Sequence, residues 1–243
     1  MTLVFFHYII VMIQGRKSKG METVYFGDHL ARKEEIMRIY MVRHGETDQN
    51  RKGCYYGKTD AVLTENGLRQ AKQLKGLLRD VHFDRVISSP LVRAYHTAEI
   101  VMEGRNQEMI CDSRLMEQDF GIFEGYTYPE LQKQYPDELE EWNRNFTHYG
   151  IPGGESFLDV RRRVEDFLDD LAKNHLAKGK ETVLLVAHKG TLGHLLAAMI
   201  GLPPEGYWNF VLEQGCYSMV DLEDGYAIFR KLNCGMGNGT EWR

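Results

Sequence analysis

Two apolar stretches of the chain each run into a histidine. In RIYMVRHGET, residues 38–47, Ile39 to Val42 suit a buried strand and are followed at once by Arg43, His44, Gly45 and Glu46; in TVLLVAHKG, residues 182–190, the histidine is His188. A third stretch, FDRVISS (83–89), ends just before Pro90, which is expected to open a helix at its first turn and to carry Arg93 on that turn. In an open α/β sheet, ligands bind outside the carboxyl ends of the strands. If the three stretches share such a sheet, Arg43, His44, Arg93 and His188 meet on one rim. Guanidinium forks match phosphate oxygens bidentately, and a histidine can hydrogen-bond to a phosphoryl group or attack it. Taken singly, a histidine after a strand and an arginine on a helix face are ordinary structural residues. Their combination points to phosphate.

The whole chain supports a small anionic partner. With 243 residues, 43% hydrophobic and 27% charged, it has the composition of a globular protein with room for a sizeable core. A formal net charge of -5 argues against nucleic acid, which needs clustered Lys and Arg on one face. A positive pocket must therefore be built locally inside an acidic protein. Cys54, Cys111, Cys216 and Cys234 show no zinc or redox spacing and read as reduced thiols of a cytoplasmic protein, with Cys216 in a strand and in the core. The apolar run LVFFHYIIVMI, residues 3–13, is too short to span a bilayer, and its basic cluster follows it where a signal peptide would have charges first. No membrane association is expected. Residues 1–36 read as an extension, with Met37 as the expected physiological start and a purine-rich ribosome-binding sequence compatible with KEEIM just before it.

The elements that must position these residues follow from periodicity. Thr64 caps a helix over TENGLRQAKQLKGLLRD, with Leu68, Ala71, Leu74, Leu77 and Leu78 on one face; ESFLDVRRRVEDFLDDLAKN is a long amphipathic helix burying Phe157, Val160, Val164, Phe167, Leu168 and Leu171. TLGHLLAAMIG reads as a helix, and CYSMVDLE and YAIFRKLN as a closing hairpin turning at Asp224-Gly225. Doubly apolar strands alternating with helices predict an α/β fold, a three-layer α/β/α sandwich whose mostly parallel sheet has an antiparallel edge. One domain over 37–233 accounts for the pattern, with a helical insertion at about 126–152 and a tail at 234–243.

Five ordered motifs, RHGET (43–47), SSPLVRAYHTA (88–98), RLMEQDFGIFEG (114–125), GGES (153–156) and VAHKG (186–190), resemble those of the histidine phosphatase superfamily, also called the phosphoglycerate mutase-like family. The resemblance covers about residues 37–233. It implies that His44 attacks phosphorus and becomes a phosphohistidine, while Arg43, Arg93 and His188 hold the equatorial oxygens. Glu117 is implied as the general acid for the leaving alkoxide and the base for the water that follows. Arg43, Asn50, Gly57, Arg93, Tyr128 and His188 are the implied substrate-binding residues. No metal or cofactor is implied, and the partner is a small-molecule phosphomonoester. Monomer and homodimer both remain open. DFG at 119–121 lacks the rest of a kinase signature. His188 and His194, six apart, do not share a helix face as paired metal ligands would.

Within that family the residues after Glu117 distinguish the branches. A mutase usually follows the glutamate with Arg-His-Tyr-Gly and a lysine beyond, whereas Gln118, Asp119, Phe120 and Gly121 follow here and Tyr128 stands near the lysine position. The acidic, aromatic insertion serves a substrate carboxylate poorly. Its Tyr126, Tyr128, Trp142, Phe146 and Tyr149 either stack a heterocyclic leaving group or pack a small core of their own. The pattern is similar to phosphatases acting on α-ribazole 5′-phosphate in cobalamin assembly, a subgroup that also holds broad-specificity phosphomonoesterases. A catalytically silent binding module is the alternative from another class. Two departures stand out: Lys189 follows the second histidine, either binding an anion or facing solvent, and Gly193 stands where many relatives have arginine.

Overall fold

Strand β1 (Ile36–Arg43) lies parallel to β4 (Glu181–Ala187), in register from Met37 opposite Glu181 to Arg43 opposite Ala187. The computed structural model that shows this describes residues 36–175, 180–223 and 226–235. The apolar run at 3–13, the expected turn at Asp224-Gly225 and residues 236–243 of the tail lie outside them.

Six strands form one sheet in the order β3-β2-β4-β1-β5-β6. β2 (Arg85–Ser88) and β3 (Met109–Cys111) extend the parallel part, while β5 (Tyr217–Glu223) runs antiparallel to both β1 and β6 (Tyr226–Cys234). The expected mixed α/β sheet is therefore present, with β5 as the reversed strand. β3 has no counterpart in the sequence reading, because three residues are too few to show a period. Cys216 is half-buried and precedes β5 rather than lying in it.

Alternation along β1 sends Ile39 and Met41 to one face and Tyr40 and Val42 to the other. The first face packs on α6 (Phe157–His175) and α7 (Lys189–Met199), through Val160, Val164, Leu168, Leu192 and Leu195. The second packs on α2 (Glu65–Leu77) and α3 (Val92–Met102), through Leu74, Ala94 and Ala98. Thr64 caps α2 as expected, its hydroxyl accepting from the Gly67 amide at 3.0 Å, but Leu77 is exposed. α6 buries all six of its expected residues. α7 is buried on every side from Thr191 to Ala198, as a mostly apolar helix inside the protein is.

α3 starts two residues later than the proline suggests. The Ser89 hydroxyl accepts from the Leu91 amide, so Pro90 lies in a turn, and the Asp60 carboxylate accepts from the Val92 amide at 2.9 Å. A short helix, α1 (Asp48–Lys52), follows the first strand. Between the 3₁₀ turn at Gly121–Phe123 and α6, the helices α4 (Tyr128–Gln134) and α5 (Pro136–Arg144) close a separate small core of Phe123, Leu131, Leu139 and Ile151. Among the described residues no helix is long and apolar enough to cross a membrane.

Candidate active site

Strand register assembles the site. One residue beyond the Arg43–Ala187 pair, the His44 amide donates to the Ala187 carbonyl at 3.0 Å, so the two strands leave the sheet together. The rings of His44 and His188 then stand 5.1 Å apart, centroid to centroid. β2 reaches the same level: Ser88 opposes Val186, the Ser89 amide donates to the Val186 carbonyl, and Ser89 Oγ lies 2.8 Å from His188 Nε2.

His44 is buried, and its Nδ1 lies 2.7 Å from the Gly45 carbonyl oxygen. A carbonyl can only accept, so Nδ1 carries the hydrogen and Nε2 keeps its lone pair. Burial, and then the positive charges of Arg93 and Arg43, hold the His44 pKa well below the ordinary histidine range. The ring is neutral at neutral pH, as a nucleophile requires. His188 is pushed the same way by burial, Arg93 and His44, and its buried Nδ1 has no partner among the described residues.

Arg93 is fully buried despite lying on the first turn of α3. Its Nη1 and Nη2 donate to the carbonyls of Thr59 and Gly57 at 3.0 and 2.7 Å, and its guanidinium sits 4.6 Å over the Tyr56 ring. Arg43 donates through Nη1 to the Leu212 carbonyl at 2.7 Å. The Nε atoms of both arginines are buried without a partner among the described residues, and burial lowers both pKa values. Two desolvated cations supported mainly by neutral groups strongly favour an added dianion. The carboxylate acting most strongly on both is Glu117.

Glu117 hangs from a clamped loop. Its Oε2 accepts from the Gly190 amide and its Oε1 from the Gln118 amide, each at 3.0 Å. Arg163, on α6, donates to the carbonyls of Arg114, Met116 and Glu117 at 2.6, 2.7 and 3.1 Å, and is itself held by Glu155. Asn50 is oriented as firmly: its Oδ1 accepts from the amide and hydroxyl of Thr47 and from Gln214 Nε2, which leaves Nδ2 to donate elsewhere.

A cleft of about 170 Å³ is lined by Arg43 and Glu117 together with Tyr55, Tyr56, Phe157 and Tyr207. Lys189 also lines it, exposed and without an acidic partner among the described residues. Tyr128 does not join this group: it is 39% exposed, and its hydroxyl accepts from Asn143 at 2.9 Å. Gly57 serves Arg93 rather than the cleft. Its carbonyl accepts from Arg93, its amide donates to Glu124, and a Cβ there would overlap the Gln118 carbonyl. The insertion's Tyr126, Trp142 and Tyr149 pack its own core, and Phe146 packs on Phe157 and Trp208. His188 and His194 have separate partners, Ser89 for the first and the rings of Phe157 and Tyr207 for the second.

Sequence reasoning missed Ser89, Glu124, Arg163 and Tyr207. Ser89 and Glu124 lie inside quoted motifs, but their tasks depend on partners 99 and 65 to 67 residues away. Arg163 has no local signal at all. The only hint of Tyr207 is Gly193, whose missing side chain makes room for it.

A mixed α/β sheet that brings a neutral histidine near two buried arginines and a carboxylate has the composition of a phosphate-binding site. Residues 39–235 match the histidine phosphatase superfamily (branch 1), and the chain belongs to that family of enzymes. The adenosylcobalamin/alpha-ribazole phosphatase of Salmonella typhimurium is 38% identical over 197 residues, 81% of this chain and 96% of that protein. Phosphoserine phosphatase 1 of Hydrogenobacter thermophilus is 33% identical over 204 residues, 83% and 95% of the two chains. Among solved structures, the alpha-ribazole phosphatase of Shigella flexneri superimposes with a TM-score of 0.77 at 36% identity, covering 83% of this chain and 98% of that one.

Proposed function

We propose that this enzyme is a metal-independent phosphomonoesterase acting through a phosphohistidine at His44, with α-ribazole 5′-phosphate as its substrate in the cytoplasm. The observation that carries the mechanism is the His44 ring, held neutral with Nδ1 on the Gly45 carbonyl and Nε2 left free. Nε2 attacks phosphorus in line with the ester oxygen. Arg43, Arg93, His188 and the Asn50 amide stabilise the charge spread over the equatorial oxygens. Glu117 gives a proton to the departing alkoxide and then takes one from the water that hydrolyses the phosphohistidine. The Gly57 carbonyl accepts from Arg93, and the partly exposed Tyr128 has its hydroxyl on Asn143. Gly57 acts through Arg93, and we assign no substrate contact to Tyr128.

The substrate reading is supported by the likeness to alpha-ribazole phosphatases and by the ring-lined cleft beside Glu117. The second reading, a broad-specificity phosphatase, draws support from the phosphoserine phosphatase relative. The two separate on kcat/KM measured with α-ribazole 5′-phosphate, 3-phosphoglycerate, phosphoserine and a set of sugar and nucleotide monophosphates, with EDTA present. A preference of about 100-fold for the ribazole, equivalent to about 2.7 kcal/mol of differential transition-state binding, supports the first. Comparable rates across the set support the second. Turnover by the wild type no faster than by His44→Ala would sink the enzymatic mechanism itself.

A further inference from the structure

Beside Arg43, Glu117 and the exposed Lys189, the cleft is lined by uncharged rings. Tyr207 rides on the 3₁₀ turn Pro204–Asn209, which is fastened to the insertion where Thr147 donates to the Glu205 carboxylate at 3.1 Å. Helix α7 passes this turn at Gly193, where a Cβ would collide with Cδ2 of the Tyr207 ring. The next residue, His194, is buried and lies against both Phe157 and Tyr207, with centroids 4.2 and 5.4 Å away. Phe157 stands edge-on to Tyr207 at 5.3 Å. Burial holds His194 neutral, with a pKa of about 3, and its Nδ1 is buried without a partner among the described residues. The three rings line the same cleft as Arg43 and Glu117.

We propose that Tyr207, backed by Phe157 and His194, forms the subsite for a planar, uncharged heteroaromatic ring on the leaving alcohol, and that Tyr207 determines leaving-group specificity. This rests on the phosphomonoesterase reading above, because Glu117 must then lie at the ester oxygen and the alcohol must extend into the cleft that Glu117 lines. Ring faces gain most from a flat π-system, and the cations of the same cleft, Arg43 and Lys189, are not among these three side chains. The unmet polar atom of a neutral imidazole suits a ring heteroatom better than a charge. Gly193 belongs to the same design, since a side chain at that position would displace Tyr207.

The test compares kcat/KM for adenosine 5′-monophosphate and ribose 5-phosphate, which differ by the ring alone, using the full chain. We expect the wild type to prefer the nucleotide. Tyr207→Leu and Gly193→Ala should each shrink that preference about tenfold, the scale of one lost aromatic stacking contact, while Tyr207→Phe retains it. A wild-type ratio near one, or a ratio unchanged in both Tyr207→Leu and Gly193→Ala, overturns the subsite. Neither result touches the phosphatase reading, which fails separately if the wild type hydrolyses no phosphomonoester. A strong preference for α-ribazole 5′-phosphate that survives Tyr207→Leu also overturns the subsite, leaving the function in place.

Discussion

Gly190 and Glu117 are built around each other: the Gly190 amide donates to Glu117 Oε2 at 3.0 Å, and a Cβ at 190 would overlap Oε1 of the same carboxylate. Any side chain at 190 must therefore push the carboxylate out of place. Gly190→Ala should fold normally yet lose about 100-fold in kcat, the cost of misplacing a catalytic group by about 1 Å. Glu117→Gln should lose about 100-fold to 10,000-fold on an alkyl phosphate. Read in kcat/KM, which reports only the formation of the phosphohistidine, both losses should shrink with p-nitrophenyl phosphate, whose leaving group needs little proton donation. Steady-state kinetics on the two substrates checks this, and equal losses on both would remove Glu117 from the role of acid.

His44 should be visible as a single tautomer. With Nδ1 donating to the Gly45 carbonyl and the pKa held far down by burial and two arginines, its ring nitrogens should show the Nδ1–H form and no titration near pH 6.5. Nitrogen-15 NMR of labelled histidines reads this directly. A His44 signal that titrates near the ordinary value would contradict the buried, neutral nucleophile.

Stability should fall in mild acid. His194 has a folded-state pKa of about 3, below its ordinary value of about 6.5. The unfolded chain thus takes up a proton that the folded chain refuses, and stability present above about pH 6.5 is lost as pH falls toward 3. At pH 5 that loss is about 2 kcal/mol from His194 alone. Urea denaturation at pH 7 and pH 5 should show His194→Gln losing about 2 kcal/mol less than the wild type over that interval, with His44 and His188 still contributing in both.

Glu124 should control phosphate affinity from a distance. Its carboxylate accepts from the amides of Gly57, Lys58, Thr59 and Phe120, and the carbonyls of Gly57 and Thr59 in turn hold Arg93. Glu124→Gln keeps one acceptor oxygen and replaces the other with a donor that faces amide hydrogens. Binding of inorganic phosphate should weaken about tenfold, the effect of disturbing one charge-assisted hydrogen-bonding group by about 1.4 kcal/mol. Calorimetric titration measures it, and unchanged affinity would show that Arg93 is positioned without the loop.

Local chemistry was legible in the sequence. The doubly apolar runs determined the strands, Thr64 and the spacing of Leu74 and Ala71 determined a capped helix, and the histidines placed at the ends of two runs announced a rim where they could meet. These signals survive because each depends on neighbours within a turn or a strand. Arg93 shows the limit. Its place on the first turn of α3 was readable, but its burial under Tyr56 and its grip on the Gly57 and Thr59 carbonyls were not. The insertion's aromatics left two readings open until packing placed Tyr126, Trp142 and Tyr149 in a core of their own. Tertiary structure alone decided which rings face the cleft, that Arg163 clamps the Glu117 loop, and that Tyr207 fills the space left by Gly193. The Arg163 and Gly193 contacts join residues from 14 to 49 positions apart, and their choice follows from strand register and helix packing, which no short stretch of chain encodes.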